Sequence, residues 1–416
     1  MPLRADRTSR RLATLLVGSG GGQLIALCMA PVLTRLYDPA AFGTFGLFTA
    51  VATIAASAAT LGLETVMVVE RDARQARIAF GVGLVLSCAS AVAVGLAGVA
   101  LRDGGVLPDL AWPWLLTPSV GALAAGQVLA GRALALERPE AVAAGRLLRG
   151  AGVGVGQAAL ALSGATGLSL ILGGLAGQVA AVAATGWMLR RSPGPALGDA
   201  GTRRVLFTRH RRLLAWSAPQ NLLNAVGNSA VPVIIAGYGG KEAVGAFTLA
   251  NRVVQLPAVT IGEALRQSLL ASMSAIGADD AALRAMTVRW FAAIVAPLGL
   301  LAAIGLVAGP PVFAFAFGAA WRGAGLDAGL LLAAQASGIA NIPALTAATV
   351  RGWQRGLFVF NATTLPVRLW ACANAGGVAA GLEAWCALSV LSSLAVTAGT
   401  LARLRPARAG LREAGI

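Results

Sequence analysis

About a dozen apolar stretches, each long enough to cross a bilayer, fill this chain almost from end to end. A helix of roughly 20 apolar residues traverses the ~30 Å hydrocarbon core of a membrane. Lipid offers the backbone no hydrogen-bond partners, so a spanning segment must be a helix or part of a closed barrel. Barrel strands alternate apolar and polar residues with period two, whereas these stretches are apolar on every side. The class that follows is an all-α polytopic membrane protein. Charged residues are 12% of the 416 positions, about half the soluble average of roughly 25%, which excludes an ordinary soluble globular domain.

The spans fall at residues 12–36, 42–69, 77–101, 112–136, 141–163 and 167–189, and again at 213–237, 243–275, 284–308, 324–349, 356–377 and 380–402. The eighth is too long for one straight crossing and must tilt or protrude. Residues 190–212 (RRSPGPALGDAGTRRVLFTRHRR) form the longest polar connection. The expected organisation is an N-lobe of six helices over 1–189, a basic cytoplasmic linker over 190–212, and a C-lobe of six helices with a short cytoplasmic tail over 213–416.

Orientation follows from the arginines. With the N-terminus inside, the inner segments hold Arg4, Arg7, Arg10 and Arg11; Arg71, Arg74 and Arg77; Arg132, Arg138, Arg146 and Arg149; the seven linker arginines; Arg284 and Arg289; Arg351 and Arg355; and Arg403, Arg405, Arg408 and Arg412. The outer loops hold only Arg102, Lys241 and Arg322. This bias is the positive-inside pattern and puts both termini in the cytoplasm. The basic start before Leu12 continues into a long apolar run without a convincing cleavage site, so it reads as an uncleaved first span. No basic, aromatic-interleaved soluble segment is present, which argues against nucleic acid as a partner.

Cys28, Cys88, Cys372 and Cys386 lie in or beside apolar runs, without metal-ligand spacing. His210 stands alone among Arg209, Arg211 and Arg212, a poor setting for a metal ligand or general base. No metal or cofactor is expected. GSGGGQ at Gly18–Gln23 lacks the ending of a phosphate loop, and GAGVGVG at Gly150–Gly156 follows no strand. Small residues at such spacing instead let helices pack closely in lipid.

The halves resemble each other. PVLTRLYDPAAFGTFGLFTA is followed about 200 residues later by PVIIAGYGGKEAVGAFTLAN. Pro31 matches Pro232, Tyr37 matches Tyr238 and, with one residue inserted, Gly43 matches Gly245. Each lobe has an even number of spans, so the copies point the same way. Parallel repeats are one of the transporter plans, with substrate held at the repeat interface.

The segment LTRLYDPAAFGTFGLFTAVATIAASAATLGLETVMVVERD resembles the N-terminal signature of Wzx-type oligosaccharide flippases, polysaccharide biosynthesis proteins of the multidrug/oligosaccharidyl-lipid/polysaccharide (MOP) transporter superfamily. NRVVQLPAVTIGEALRQSLLASMS is similar to that family's eighth helix, and FAFGAAWRGAG to its outer loop before the tenth. The resemblance implies about 12 transmembrane helices in two parallel six-helix lobes around a central cavity. It also implies translocation of polyprenyl-diphosphate-linked oligosaccharide across the bacterial inner membrane, by alternating access, for O-antigen or exopolysaccharide assembly. Such a protein is not an enzyme and deals with membrane lipids, a proton or sodium counter-ion and polysaccharide assembly proteins. The rival from the same superfamily is a multidrug exporter. The rival from another class is a membrane glycosyltransferase or polysaccharide polymerase, which would need catalytic groups on substantial outer loops.

A diphosphate and its sugars need a hydrated, cationic path, which arginine suits because it stays charged and grips phosphate bidentately. Charged residues inside spans are costly and usually face the bundle interior. Arg252 lies near mid-membrane in the eighth span, Arg368 about twelve residues into the eleventh, and Arg35 near the outer end of the first. Arg252 is either a cavity lining or a structural charge, and Arg35 is either that or an interfacial snorkelling residue. Asn221, Asn224 and Asn228 form one polar stripe on the seventh helix, which Gln23, Asn251 and Gln255 could extend. Amides of this kind meet sugar hydroxyls or bond neighbouring helices. Glu64 in the second span is the candidate for coupling to protons or sodium. Glu263 and Arg266, three apart, read as a local ion pair near the cytoplasmic mouth.

Overall fold

The computed structural model describes residues 20–106, 110–277 and 279–404. Arg4, Arg7, Arg10, Arg11, Arg405, Arg408 and Arg412 and the start of the first span lie outside the described residues. Every regular element described is helical: α1 (Gly20–Leu36), α2 (Pro39–Ala59), α3 (Leu63–Val69), α4 (Ala73–Asp103), α5 (Leu116–Ala135), α6 (Pro139–Ala161), α7 (Gly167–Leu189), α8 (Ala200–Ile276), α9 (Asp280–Phe317), α10 (Arg322–Ala340), α11 (Ile342–Val350), α12 (Gln354–Ala373) and α13 (Val378–Arg403).

Among the described residues, eight helical stretches are long and apolar enough to cross a membrane. The difference from the twelve sequence spans has identifiable sources. The described part of α1 is shorter than a full crossing. Helices α6 and α12 are diluted by Arg146 and Arg149 and by Arg355 and Arg368. The seventh and eighth spans run together in α8.

Local chemistry sets where the helices start and break. Asp38 caps α2, its carboxylate accepting the Ala41 N–H at 2.7 Å, and Pro39 opens the first turn where no N–H is needed. Thr166 and Ser169 form a reciprocal capping box on α7. The second span is not one helix: it unwinds after Ala59, passes Leu61 (φ 51°) and Gly62 (φ 81°), and resumes as α3. Leu61 is in the left-handed region, where a branched residue carries roughly 1–3 kcal/mol of strain. Helix α8 is interrupted at Gly240 (φ 65°, ψ −173°), between the seventh and eighth spans. Its first part begins at Ala200, so residues 200–212 of the basic connection are helical and continuous with the seventh span.

The chain forms two compact units, made of the described residues of Met1–Leu249 with Phe315–Trp321 and of Ala250–Ile416 without that segment. In the first, one cluster joins Leu63, Met67, Ile78 and Phe80 to Val128 and Leu206, and a second joins Phe48, Ala56, Leu116 and Ile171. In the second, Leu269, Met273, Leu283 and Ala347 form the core.

Helices α6 and α7 meet backbone to backbone. A methyl on Gly177 would fall 2.6 Å from Val153 Cγ2, and one on Gly156 would fall 3.0 Å from the Gly173 carbonyl oxygen. The Gly150–Gly156 string is therefore a packing surface, as small residues at this spacing are expected to be in lipid.

Candidate functional site

Three arginines fix the connection after α7. Arg138 donates to the Met188 carbonyl at 3.2 Å, Arg132 to that of Pro193 at 3.1 Å, and Arg77 to that of Gly194 at 3.0 Å. Beyond this clamp, the start of α8 lies against α3. His210 Nε2 is 2.7 Å from Glu70 Oε2, and Arg209 is 3.5 Å from the same oxygen. The Glu70 side chain is only 1% exposed. Burial pushes its carboxyl up, but the Asp72 N–H at 2.9 Å, His210 and Arg209 together hold it below the ordinary range. The sole histidine is thus one side of a partly buried polar contact. Its partner stands 140 residues away, so nothing local in the sequence points to it.

Further along the same helices, Ser217 packs on Gly62, and Asn221 Nδ2 donates to Glu64 Oε1 at 3.0 Å. The asparagine stripe divides here. Asn221 bonds α3, Asn224 accepts from Gln220 at 3.0 Å within α8, and Asn228 is exposed.

At the other end of the first unit, the two repeats touch through their matched glycines. A methyl on Gly43 would sit 2.5 Å from the carbonyl carbon of Lys241. One on Gly245 would sit 2.8 Å from that of Pro39. The offset that pairs Gly43 with Gly245 also pairs Pro39 with Lys241 and Gly46 with Thr248. The contact is therefore reciprocal, and Gly46 faces its own counterpart, with a methyl there 3.1 Å from Thr248 Cβ. Beside it, Phe42 meets Trp321 edge to face at 5.0 Å, and Trp321 Nε1 donates to the Thr34 carbonyl at 3.1 Å. Tyr37 donates to the Gln157 carbonyl at 2.7 Å.

Arg252 lies in the continuous part of α8 after the Gly240 break. It is half-buried and makes no hydrogen bond or ion pair among the described residues. Asn251 and Gln255, also half-buried, flank it on the same helix. Arg368 stacks on Trp385, 4.2 Å from the ring centroid, with its Nε buried and unpartnered. Arg35 is exposed in the last turn of α1, and Gln23 keeps a buried, unpartnered Oε1. Glu263 and Arg266 are a bidentate ion pair at 2.8 and 3.0 Å. Within the first unit the fold joins Glu64 to Asn221. No hydrogen bond links Gln23, Arg35 or Asn228 to that pair, and none links Arg252 to Arg368 within the second. No cluster of His, Cys, Asp and Glu able to hold a metal occurs among the described residues.

An all-helical chain with these long apolar elements is a multi-pass membrane protein, and its fold is that of the MOP transporters. It is similar to an inward-facing multidrug resistance MATE family transporter (TM-score 0.70, 14% identity, 95% of this chain and 97% of that one). It is also similar to the lipid II flippase MurJ in an inward closed conformation (TM-score 0.73, 8% identity, 92% and 87%), and to an outward-facing MATE family transporter (TM-score 0.60, 14% identity, 96% and 95%). No curated protein matches the chain. Residues 32–325 match the model of a family described as polysaccharide biosynthesis protein, and the chain belongs to that family.

Proposed function

We propose that this protein flips a polyprenyl-diphosphate-linked oligosaccharide across the bacterial inner membrane for O-antigen or exopolysaccharide assembly, acting by alternating access between two six-helix lobes. The observation that carries the reading is Arg252, a cation within a spanning helix that no carboxylate neutralises among the described residues. Such a group is costly in lipid and has its use where an anion passes. Arg368 adds a second cation held by an aromatic face, and amides at Asn228, Asn251 and Gln255 suit sugar hydroxyls. Family membership supports a polysaccharide precursor over a drug. The close Gly43/Gly245 contact, at the end of the first unit expected outside from the positive-inside pattern, supports a cycle in which that end can shut.

The test is reconstitution of the purified protein with a fluorescent diphosphate-linked glycolipid. Leaflet exchange should exceed that of empty liposomes and fall at least tenfold in Arg252→Ala. Exchange no faster than in empty liposomes, across several glycolipids, would reject the reading.

A further inference from the structure

The start of α8 sorts its side chains by face. Leu206 is fully buried in the cluster that also holds Leu189 at the end of α7, and His210 meets Glu70. Turned away from Leu206, at i, i+7 and i+8 spacing, are Arg204, Arg211 and Arg212, all exposed. Arg190 and Arg191, which follow α7, and Arg203 are exposed as well. None of these arginines makes an ion pair among the described residues. The only acid between Arg190 and Arg212 is Asp199, whose carboxylate accepts from the Thr202 hydroxyl. The arginines that hold this region together, Arg77, Arg132, Arg138 and Arg209, are different ones. Tryptophan marks the depth of the exposed set. Trp187 lies one turn before Arg190, whose guanidinium stacks on its ring at 4.3 Å, and Trp216 lies one turn after Arg212. The two tryptophans are 61% and 45% exposed. In both helices the tryptophan is on the membrane side and the arginine on the side that the positive-inside pattern assigns to the cytoplasm, which is the composition of a membrane interface.

We propose that Arg190, Arg191, Arg211 and Arg212 form a docking surface for the headgroups of anionic phospholipids in the cytoplasmic leaflet, with Arg203 and Arg204 adding longer-range attraction. Clusters of basic residues immediately cytoplasmic of a span are drawn to anionic lipid. The helical rise separates the direct contacts from the distant ones. At about 1.5 Å per residue, Arg211 and Arg212 stand within about 3 Å of the start of the seventh span, and Arg203 and Arg204 about 14–15 Å beyond it. The headgroup layer is about 5–8 Å deep. The first pair therefore reaches the lipid phosphates and the second does not. The gap left to the second pair is within a Debye length of about 8–10 Å, so it still feels their field. Bound phosphates also offset the repulsion between neighbouring arginines that have no carboxylate of their own. The surface depends on the orientation of the chain and not on which cargo it carries. Because the same helix is fastened to α3 through Glu70, lipid held here steadies the inner end of that contact.

The experiment adds phosphatidylglycerol or phosphatidylcholine to the full-length protein in neutral detergent and follows thermal unfolding. The melting temperature should rise by several degrees with phosphatidylglycerol and not with phosphatidylcholine, as expected for a ligand bound only by the folded state. The rise should shrink in about 1 M NaCl, where the Debye length falls to about 3 Å. Arg211→Gln/Arg212→Gln should lose most of it, Arg203→Gln/Arg204→Gln a smaller part, and Arg211→Lys/Arg212→Lys, which keeps both charges, should retain it. An equal rise with both lipids, or a phosphatidylglycerol response unchanged in Arg211→Gln/Arg212→Gln, overturns the surface. If that variant does not fold, the salt series decides, and a rise undiminished by NaCl overturns it. A rise with a polyprenyl diphosphate but none with phosphatidylglycerol also overturns it, because these arginines would then serve the cargo. Absent glycolipid exchange with the phosphatidylglycerol response intact would instead reject the transport reading and leave the surface standing.

Discussion

Replacing Gly43 with alanine tests the contact between the two repeats. The added methyl carbon would lie 2.5 Å from the Lys241 carbonyl carbon and 3.0 Å from its Cα, where carbon atoms prefer about 3.5–4.0 Å. These neighbours are backbone atoms, so no rotamer change relieves the overlap, and α2 and α8 must part by roughly an ångström. Overpacking of this kind costs about 1–3 kcal/mol. If the contact forms only when this end is shut, the whole of that cost falls on the shut state. The equilibrium then moves toward the open state by about 5- to 150-fold, since 1.4 kcal/mol is a factor of ten. Thr248→Cys, placed opposite Gly46, reports the opening. Its modification by a membrane-impermeant maleimide added from outside should accelerate in the Gly43→Ala background, and Gly245→Ala should act the same way from the other side. A lower melting temperature with unchanged labelling would refute the reasoning, because the glycines would then be packing residues common to every state.

Trp321→Phe keeps the ring against Phe42 but leaves the Thr34 carbonyl unbonded in a site where Trp321 is 2% exposed. A loss of about 1–3 kcal/mol is expected in denaturant unfolding. Gly177→Val thrusts side-chain atoms into the backbone of α6 and should cost at least about 1–3 kcal/mol, seen as a lower melting temperature or failure to insert. The Glu70 carboxyl lies below its ordinary range when folded. Its contribution is therefore present above the unfolded value of about 4.3 and lost as pH falls through the folded one. The stability gap between wild type and Glu70→Gln should close across that acid window, and a pH-independent gap would contradict the pairing.

Apolarity and its punctuation made much of the architecture legible. The expected boundary between the seventh and eighth spans falls where Gly240 interrupts α8, and the glycine string in the fifth span packs as small residues in lipid do. The second span shows the limit of that signal. Apolar residues run on through Leu61 and Leu63, so hydropathy continues where the helix stops at the positive-φ Leu61 and Gly62, the latter packed against Ser217. The Gly43 and Gly245 match was visible as a repeat, but identity of position does not say that the two residues touch. His210 lacked any local partner because Glu70 meets it only through tertiary packing. The asparagine stripe has regular helical spacing, yet its members meet different neighbours. Periodicity assigns a face to a helix but not what lies opposite each turn.

The glycine seam of α6 and α7 has a mechanical corollary. Where side chains interlock, a joint can slide by exchanging one set of rotamers for another. Where main chains abut, there is nothing to exchange, and any shift either collides or opens a void that lipid tails cannot fill closely. These two helices should therefore travel as a single strut, and the hinges of any conformational cycle must be sought at the unwound places, Thr60–Gly62 and Gly240.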